Sequence, residues 1–493
     1  MQRAWQHTLG HKDELKSGTA ATVIELEDVP PGALFSEPFA QNIAQKARSK
    51  LTVKQLYDDI DWPHVRGIGA ATILRIWLKY VPSLSPHRAA VEVLFTVKHN
   101  KHRLRLRKSK IHTLRATNID ESTTVGAASV LRNLLAQLFI TPVSLVNWMF
   151  MLYGDQLTID RIRKIIRYTA KCDTPHEQHK WALPIIQLWH MKWAWQKAIF
   201  RLHWHSDLAK GTFGLHHDIV LIEREKFERL RSFDSTSFRF IAAPARLAKK
   251  KAVKNNSCSA ARTEFSNGDQ ALVTLCNFMR VTLWYMELCA SIAEGDIGRS
   301  FEVIKLLRFS FWGAGSTNYG NELLELACNS LYEFSEDLKT AVLNNYLANL
   351  SGRIGHWLEL DLLQEHFNFW IKRLFNAKSH DFDGQHLAEA VGLNIAGISK
   401  LRETFPGLFG LKRNGQRHTD ASTIHDINQL GNHFRKIMYS NTKAAETNHM
   451  TTGGQSVAAD EPEPVLSADP GFPAAPVTVS KGILDVGEFI TGG

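Results

Sequence analysis

Apolar residues recur every three or four positions along most of the chain, which is the spacing of one buried face of an α-helix. The helices predicted from this spacing cover residues 51–81, 124–139, 160–170 and most of 270–378. Short β-branched or continuous apolar runs predict strands over 18–27 and 148–153, and residues 182–204 predict a short strand that leads into an aromatic helix. We therefore expect a mainly α-helical chain with a small mixed β-sheet.

Pattern and composition together divide the chain into seven segments. They are an N-terminal strand segment (1–50), a helical segment with a basic stretch (51–120), a core with Asp155 and His190 (121–243), a basic loop or linker (244–270), a helical region ending in the Glu365 helix (271–378), a C-terminal helical segment (379–440) and a disordered tail (441–493). The tail is rich in Gly, Pro, Ala and Thr and has few aromatic residues, so we expect it to bury too little surface to fold.

The C-terminal helical segment contains one candidate DNA-reading motif. Ala388, Gly392, Ile398 and Leu401 are spaced like the packing residues of a helix-turn-helix. Any two short helices joined at a glycine give the same spacing, so both interpretations stay open.

The overall composition is that of an ordinary globular protein, with 493 residues, 44% hydrophobic and 22% charged. No apolar run is long enough to span a bilayer, and the polar N-terminus has no signal peptide. We therefore expect a nuclear or cytoplasmic protein that is neither secreted nor inserted in a membrane. The five cysteines form no C-x-x-C pair, which argues against a zinc ribbon or a disulfide framework.

Positive charge is concentrated in the body of the chain. The net charge is +10, and because residues from 441 onward carry −5, the remainder carries +15. Such a body favours a polyanionic partner. The candidate nucleic-acid-binding residues are Lys101, Arg103, Arg105, Arg107, Lys108 and Lys110. In an extended conformation the three arginines face one way and suit a phosphate backbone, although a solvated edge strand has the same pattern.

The helix predicted over residues 358–375 carries two contrasting faces. One face is apolar, with Leu363, Phe367, Trp370 and Leu374 at helical spacing. The opposite face carries Asp361, Glu365, Asn368 and Lys372. A packed apolar face would hold these carboxylates rigidly, as a catalytic site requires.

Asp155 follows the strand predicted over 148–153 and precedes a helix, so two interpretations are open. It either caps the helix or contributes to a metal site together with Glu365 and Asp361 on the later helix. Mg²⁺ prefers carboxylate oxygens, and two such ions about 4 Å apart stabilise both the attacking and the leaving oxygen of a phosphodiester. His190 lies among apolar neighbours, where a histidine is either a hydrogen-bonded core residue or a functional group.

Seven stretches of the chain together carry a family resemblance: S-G-T-A-A-T, Y-D-D-I-D-W-P-H-V-R, K-H-R-L-R-L-R-K-S, G-D-Q-L-T, I-I-Q-L-W-H-M-K-W, G-S-T-N-Y-G-N-E-L-L and H-W-L-E-L-D-L-L-Q-E-H-F-N-F-W-I-K. Through them the chain resembles an uncharacterised fungal family, abundant in mushroom-forming basidiomycetes, that is known only as a domain of unknown function. The seven stretches cover most of residues 10–420.

The order of these parts is also similar to that of ribonuclease-H-like transposases of the Mutator and hAT kind. This resemblance implies an α/β ribonuclease-H-like core with a large helical insertion. It also implies that Asp155 is the second catalytic acid, His190 the motif histidine, and Glu365 with Asn368 the final E-x-x-N. Mg²⁺ is the implied cofactor and DNA the implied partner.

One departure from the transposase pattern concerns the first acid. The pattern requires an earlier Asp on the first strand, and neither Asp58, Asp59 nor Asp120 ends a convincing first strand. We therefore expect a transposon-derived, Mg²⁺-dependent DNA-cleaving protein whose activity is impaired in this copy. The alternative is a non-catalytic protein that binds nucleic acid or other proteins through its basic body. Homo-oligomerisation is left open.

Overall fold

Thirteen α-helices make up most of the part of the chain that the structure describes. That structure is a computed structural model describing residues 18–203, 270–377 and 387–408, with short pieces at 2–4, 14–16, 427–428 and 431–432. The helices are α1 (Ser36–Ala44), α2 (Val53–Asp58), α3 (Trp62–Tyr80), α4 (Arg88–Val93), α5 (Thr124–Gln137), α6 (Gln156–Tyr168), α7 (Trp189–His203), α8 (Gln270–Glu294), α9 (Ile297–Gly313), α10 (Thr317–Cys328), α11 (Glu336–Asn344), α12 (Leu360–Ala377) and α13 (Leu393–Leu408). The prediction of a mainly helical protein is confirmed.

The described strands are short and occur in pairs. They are β1 (Gln2–Ala4), β2 (Glu14–Lys16), β3 (Thr22–Ile24), β4 (Ile111–Thr113), β5 (Phe150–Gly154), β6 (Ala182–Ile186), β7 (Leu347–Ala348) and β8 (Leu358–Glu359). Strands β1–β2, β3–β4 and β7–β8 are antiparallel, and β5–β6 is parallel. The expected small mixed sheet is therefore seen as separate two-stranded pairs in the described ranges, and the ribonuclease-H-like core stays a prediction.

Local sequence explains where several of these helices begin. Asp61 caps α3, its side chain accepting from the backbone N–H of His64 at 3.0 Å, and Pro63 occupies the first turn, where no intrahelical N–H is needed. In α6 the buried residues Ile159, Ile162 and Ile165 form one face. The helix predicted over 160–170 begins four residues earlier in the structure, at Gln156, and the single helix predicted over 51–81 is divided into α2 and α3.

The main cluster around the candidate site is built on the apolar face of α12. Leu363 and Phe367 are buried together with Ile395 of α13. Ile24 of β3 and Tyr153 of β5 pack against this cluster. The predicted apolar face of the 358–375 helix is thus confirmed, and it holds α12 against the strands. A second cluster, formed by Ile68, Ala71, Leu78, Val91 and Phe95, joins α3, α4 and the turn that follows.

The segment 387–402 does not form the turn that a helix-turn-helix requires. Residues Leu387–Gly392 are π-helical and continue directly into α13. The continuous helix keeps Ile395 packed in the α12 cluster, and Thr113 of β4 donates a hydrogen bond to the backbone oxygen of Leu393 at 2.6 Å. DNA reading by this element stays a prediction without support from its geometry.

The chain divides into two compact units. One contains residues 1–195 and 283–416, and the other contains residues 196–282 and 417–493. In the second unit the rings of His203 and Phe278 lie 5.4 Å apart. The seven segments defined from sequence stay a prediction. The predicted basic loop (244–270, apart from its last residue) and the predicted disordered tail (441–493) lie outside the described residues.

Across the described ranges, none of the helices combines the length and the apolar character needed to cross a membrane.

Candidate functional site

The parallel strands β5 and β6 end at the same edge, and this edge carries the first candidate residue. Gly154 pairs with Ile186 at the ends of the two strands, and the backbone N–H of Gln187 donates to the Gly154 oxygen at 3.0 Å. Helix α6 connects the two strands, as a parallel pair requires. Asp155 and Gln187 therefore follow neighbouring strand ends.

Asp155 is the N-cap of α6. Its Oδ1 accepts a hydrogen bond from the backbone N–H of Thr158 at 2.8 Å, and its backbone is extended, as caps usually are. Among the described residues, its second carboxylate oxygen has no hydrogen-bond partner. The capping interpretation of Asp155 is thus confirmed, and one oxygen stays available to a ligand.

The partly exposed His190 forms a pair with the buried Asp361, although they are 171 residues apart in the sequence. The Nδ1 of His190 donates to Asp361 Oδ2 at 3.0 Å, and the same carboxylate accepts from the backbone N–H groups of Trp189 and His190 at 3.1 and 3.0 Å. Asp361 therefore caps α7 from the first turn of α12. Its oxygens are already engaged, which leaves little capacity for the predicted role as a metal ligand.

The capping between α7 and α12 is reciprocal. Gln187, just before α7, accepts a hydrogen bond from the backbone N–H of Leu360 at its Oε1, at 3.1 Å, and Leu360 is the first residue of α12. Each helix start is thus held by a side chain from the entrance of the other helix. This arrangement fixes where His190 and the first turns of α12 lie.

Glu365 and Asn368 lie on α12, one and two turns after Asp361. The amide of Asn368 donates to Glu365 Oε1 at 3.4 Å and accepts from Gln364 at 3.0 Å. Gln364 in turn accepts from the hydroxyl of Thr22 on β3 at 2.8 Å. Asn368 therefore orients Glu365, whereas Lys372, on the same line of the helix, is exposed.

The predicted site residues act on one another electrostatically. Burial alone would lower the pKa of His190, but the hydrogen bond to Asp361 and the negative charges of Asp361, Asp155 and Glu365 raise it above its ordinary value. The charges of Asp155, Asp361 and Glu365 thus all act on His190, and Asp361 is the one that hydrogen-bonds to it within the described residues.

Two further residues near Asp155 were not singled out from sequence. Burial raises the pKa of Glu121, and the charge of Asp155 raises it further. Burial also raises the pKa of Tyr319 on α10, and the charges of Asp155, Asp361 and Glu322 act in the same direction. Glu121 belongs to no recognisable motif, and the only sequence signal was its place two residues before the Thr123 cap of α5.

The structure bears on the predicted metal site through the number of possible ligands that lie together. In the part of the chain that the structure describes, no three histidine, cysteine or carboxylate side chains are grouped as a metal-binding set. Mg²⁺, however, commonly binds one or two carboxylates and takes its remaining ligands from water and substrate phosphates. Asp155 and Glu365 each have a carboxylate oxygen without a hydrogen-bond partner among the described residues, and magnesium binding by these two residues stays a prediction.

The predicted nucleic-acid-binding stretch is largely paired with carboxylates of the same chain. Among its six cations Lys108 has no ionic partner within the described residues, whereas the others do. These pairs are Lys101–Asp61, Arg103–Glu294 at 3.8 Å, Arg105–Asp28 at 3.1 Å, Arg107–Glu27 at 3.2 Å and Lys110–Glu25 at 3.0 Å. The stretch is therefore much less positive than its sequence indicates.

Comparison with known proteins gives a family and no activity. A sequence model described as a family of unknown function (DUF6589) matches residues 46–242 and 227–418, roughly three quarters of the chain. No curated protein and no solved structure matches. The predicted domain of unknown function is confirmed, while the fungal origin and the similarity to transposases stay predictions.

Proposed function

The chain belongs to the DUF6589 family, and we propose that it has a ribonuclease-H-like core in which Asp155 and Glu365 bind a divalent metal ion for cleavage of a nucleic-acid phosphodiester. The observation that supports this proposal is the contact between His190 and Asp361, which are distant in the sequence, next to a parallel strand pair that Asp155 follows, with the charges of Asp155 and Glu365 also acting on His190. We further propose that the nucleic acid is DNA and that the protein derives from a transposon.

In the proposed site, each residue has a separate task. Asp155 and Glu365 would hold the ion through their unengaged oxygens. A bound divalent ion polarises a phosphoryl oxygen and makes its bound water more acidic. Asp361 orients His190 through Nδ1, so Nε2 is the atom that can transfer a proton to a leaving oxygen. Asn368 keeps Glu365 in position.

Glu121 bears on whether the proposed DNA-cleaving activity is impaired in this protein. A site with only two carboxylates would hold a metal ion weakly, and the first acid of the transposase pattern has no counterpart among the predicted strands. Glu121 is a half-buried carboxylate, and the next residue, Ser122, accepts a hydrogen bond at its backbone oxygen from Arg161 of α6, the helix that Asp155 caps, at 2.8 Å. We propose Glu121 as an additional ligand that strengthens the site, consistent with the effect of the Asp155 charge on its pKa.

The test is a titration of Mg²⁺ and Mn²⁺ against thermal stability, combined with nicking of supercoiled DNA. We expect the ions to raise the melting temperature of the native protein, and Asp155→Asn and Glu365→Gln to abolish that rise. Asp160→Asn is the matched control, because Asp160 lies on α6 in an ion pair with Lys164 (2.7 Å).

An ion-dependent rise that survives in Asp155→Asn and Glu365→Gln would overturn the proposed metal site. Binding of DNA with no response to divalent ions would favour a non-catalytic nucleic-acid-binding protein instead.

A further inference from the structure

Helix α5 is followed by a residue type that its backbone conformation disfavours. Phe139, directly after the C-cap Leu138, has a φ of 55°, in the left-handed region that helices usually assign to glycine at this position. Two hydrogen bonds fix the turn: the N–H of Phe139 donates to the Ala136 oxygen at 3.1 Å, and the N–H of Ile140 donates to the Leu135 oxygen at 3.0 Å. A phenylalanine in this conformation lowers stability in a way that a glycine would not.

Burial of the Phe139 side chain does not offset this strain. The side chain is 92% exposed, and that of Val143, four residues further along the connection between α5 and β5, is 83% exposed. Val146 and Trp148 of the same connection are also exposed. These four residues form the α5–β5 patch. An aromatic residue that is both strained and exposed adds nothing to the stability of a single copy, which indicates a contact with another molecule.

The charges along this connection indicate what kind of molecule the α5–β5 patch contacts. Residues 133–154 contain no charged residue, although 22% of the chain is charged and its net charge is +10. A polyanion such as DNA would bind to cationic parts of the surface instead. Two copies of a cationic chain repel one another, and an uncharged apolar patch lets them meet without placing like charges in contact.

The segments that adjoin the two ends of the connection carry opposite charges. At one end, the backbone N–H of Arg115 donates to Gln137 Oε1 at 2.8 Å. At the other end, the backbone N–H of Ser36 donates to the Asn147 oxygen at 3.0 Å, and Glu37 follows Ser36. Arg115 and Glu37 are both exposed, and neither has an ionic partner among the described residues.

We infer that the chain forms a two-fold symmetric dimer through the α5–β5 patch, in which Phe139 packs against the second copy and each Arg115 pairs with the partner's Glu37. A two-fold contact sets the same surface against itself, so opposite charges at the two ends of one connection become complementary. Aromatic residues are typical of the buried centre of an interface, and polar residues are typical of its rim.

The first test compares Phe139→Gly with Lys46→Gly in the full chain, by sedimentation velocity over a concentration series. Lys46 is the matched control, because it follows the C-cap Gln45 of α1 with a φ of 52° and is exposed, but its side chain is charged and lies outside the α5–β5 patch. The melting temperature is recorded at a concentration low enough for the native protein to be monomeric.

We expect Phe139→Gly to raise the dissociation constant of the dimer about 10-fold or more, the effect of losing an aromatic residue at the centre of an interface. Its melting temperature should rise by about 1 °C, because relief of the left-handed strain exceeds the conformational entropy that glycine loses. Lys46→Gly should leave dimerisation unchanged.

A charge reversal distinguishes a second copy from other occupants of the patch. Arg115→Glu alone and Glu37→Arg alone should each weaken dimerisation about 10-fold, because each places like charges opposite one another at two symmetric positions. The double variant should restore dimerisation, since a partner with the same two substitutions regains both ion pairs. A different protein or a lipid surface would give no such rescue.

Three outcomes overturn the inference. One is a native protein that stays monomeric across the concentration series. Another is a dimer that Phe139→Gly leaves intact, which would place the interface elsewhere. The third is a double charge reversal that dissociates as readily as the single variants, which would exclude the pairing of Arg115 with Glu37 across a two-fold axis.

Discussion

Asp155 combines a structural role with a candidate chemical one in a single carboxylate. One oxygen caps α6, and the other is unengaged among the described residues. Asparagine caps a helix about as well as aspartate, whereas alanine does not. Substitutions at this position therefore separate the two roles.

We expect Asp155→Asn to keep the stability of the metal-free protein within about 0.5 kcal/mol and Asp155→Ala to lower it by about 1 kcal/mol. Both should lose the response to Mg²⁺. Urea unfolding with and without the ion measures both effects. Equal losses of unfolding free energy in the two variants would show that the capping hydrogen bond does not account for the stability that Asp155 contributes.

His64 on α3 is a buried histidine that the proposed chemistry does not use. Burial lowers its pKa to about 4; the positive charge of Lys101 acts in the same direction, and the negative charge of Glu302 acts against it. Its ring lies 5.5 Å from that of His99, whose pKa burial also lowers. The native state therefore favours neutral imidazoles at this contact.

This arrangement predicts a loss of stability in acid. As the pH falls below 6.5 the unfolded chain binds a proton at His64, but the native protein does not until about pH 4. Relative to pH 7.5, His64 should cost about 2 kcal/mol at pH 5. His64→Asn should flatten the dependence measured by urea unfolding across this range, and the exposed His87→Gln is the control. A steeper dependence in His64→Asn would contradict the assignment.

The reciprocal caps of α7 and α12 are the element-level feature that assembles the site. Each cap crosses between helices whose first residues, Trp189 and Leu360, are far apart in the chain. The carboxylate of Asp361 also sits near the positive end of the α7 dipole, which stabilises it there. Loss of either cap should therefore affect both helices.

We expect Asp361→Ala to lower the free energy of unfolding by roughly 2 to 4 kcal/mol, because the N–H groups of Trp189 and His190 lose their acceptor. Asp337→Ala is the control, since Asp337 is an exposed acid in the first turn of α11 and should cost only a few tenths of a kcal/mol. Denaturant unfolding measures both. Similar losses at the two positions would show that the contact between α7 and α12 contributes little.

At the scale of the whole molecule, the net charge of +10 overstates the cationic surface near residues 101–110. Arg107 illustrates this, because its side chain is 10% exposed and also donates to the backbone oxygen of Asn344 at 2.6 Å. Lys108 is exposed and has no ionic partner among the described residues. The two positions should respond differently to substitution.

We expect Arg107→Ala to lower stability by roughly 2 kcal/mol, because Glu27 and Asp28 lose a partly buried partner. It should leave the salt dependence of DNA binding unchanged. Lys108→Ala should leave stability unchanged and reduce the slope of log K against log salt by about 1 if Lys108 contacts a phosphate. Fluorescence anisotropy over a series of salt concentrations measures the slopes. An Arg107 variant with a reduced slope and native stability would reverse this assignment.

Local sequence determined most of the elements, because helix spacing, caps and β-branched runs act within a few residues. The apolar face of α12, the cap at Asp61 and the strand–helix–strand order around Asp155 could all be read in this way. The capping role of Asp155 was one of two open interpretations. It could be predicted from local sequence because a helix cap depends only on the next three residues.

Only the tertiary structure decided how the candidate site is assembled. Asp361 was predicted as a metal ligand because it shares a helix face with Glu365, but its hydrogen-bond partners lie on α7. Gln187 and Glu121 acquire their environments from segments that no local periodicity connects with them. The partners of a side chain depend on where the chain returns in space, whereas the spacing of residues along one element fixes only the face on which each side chain lies.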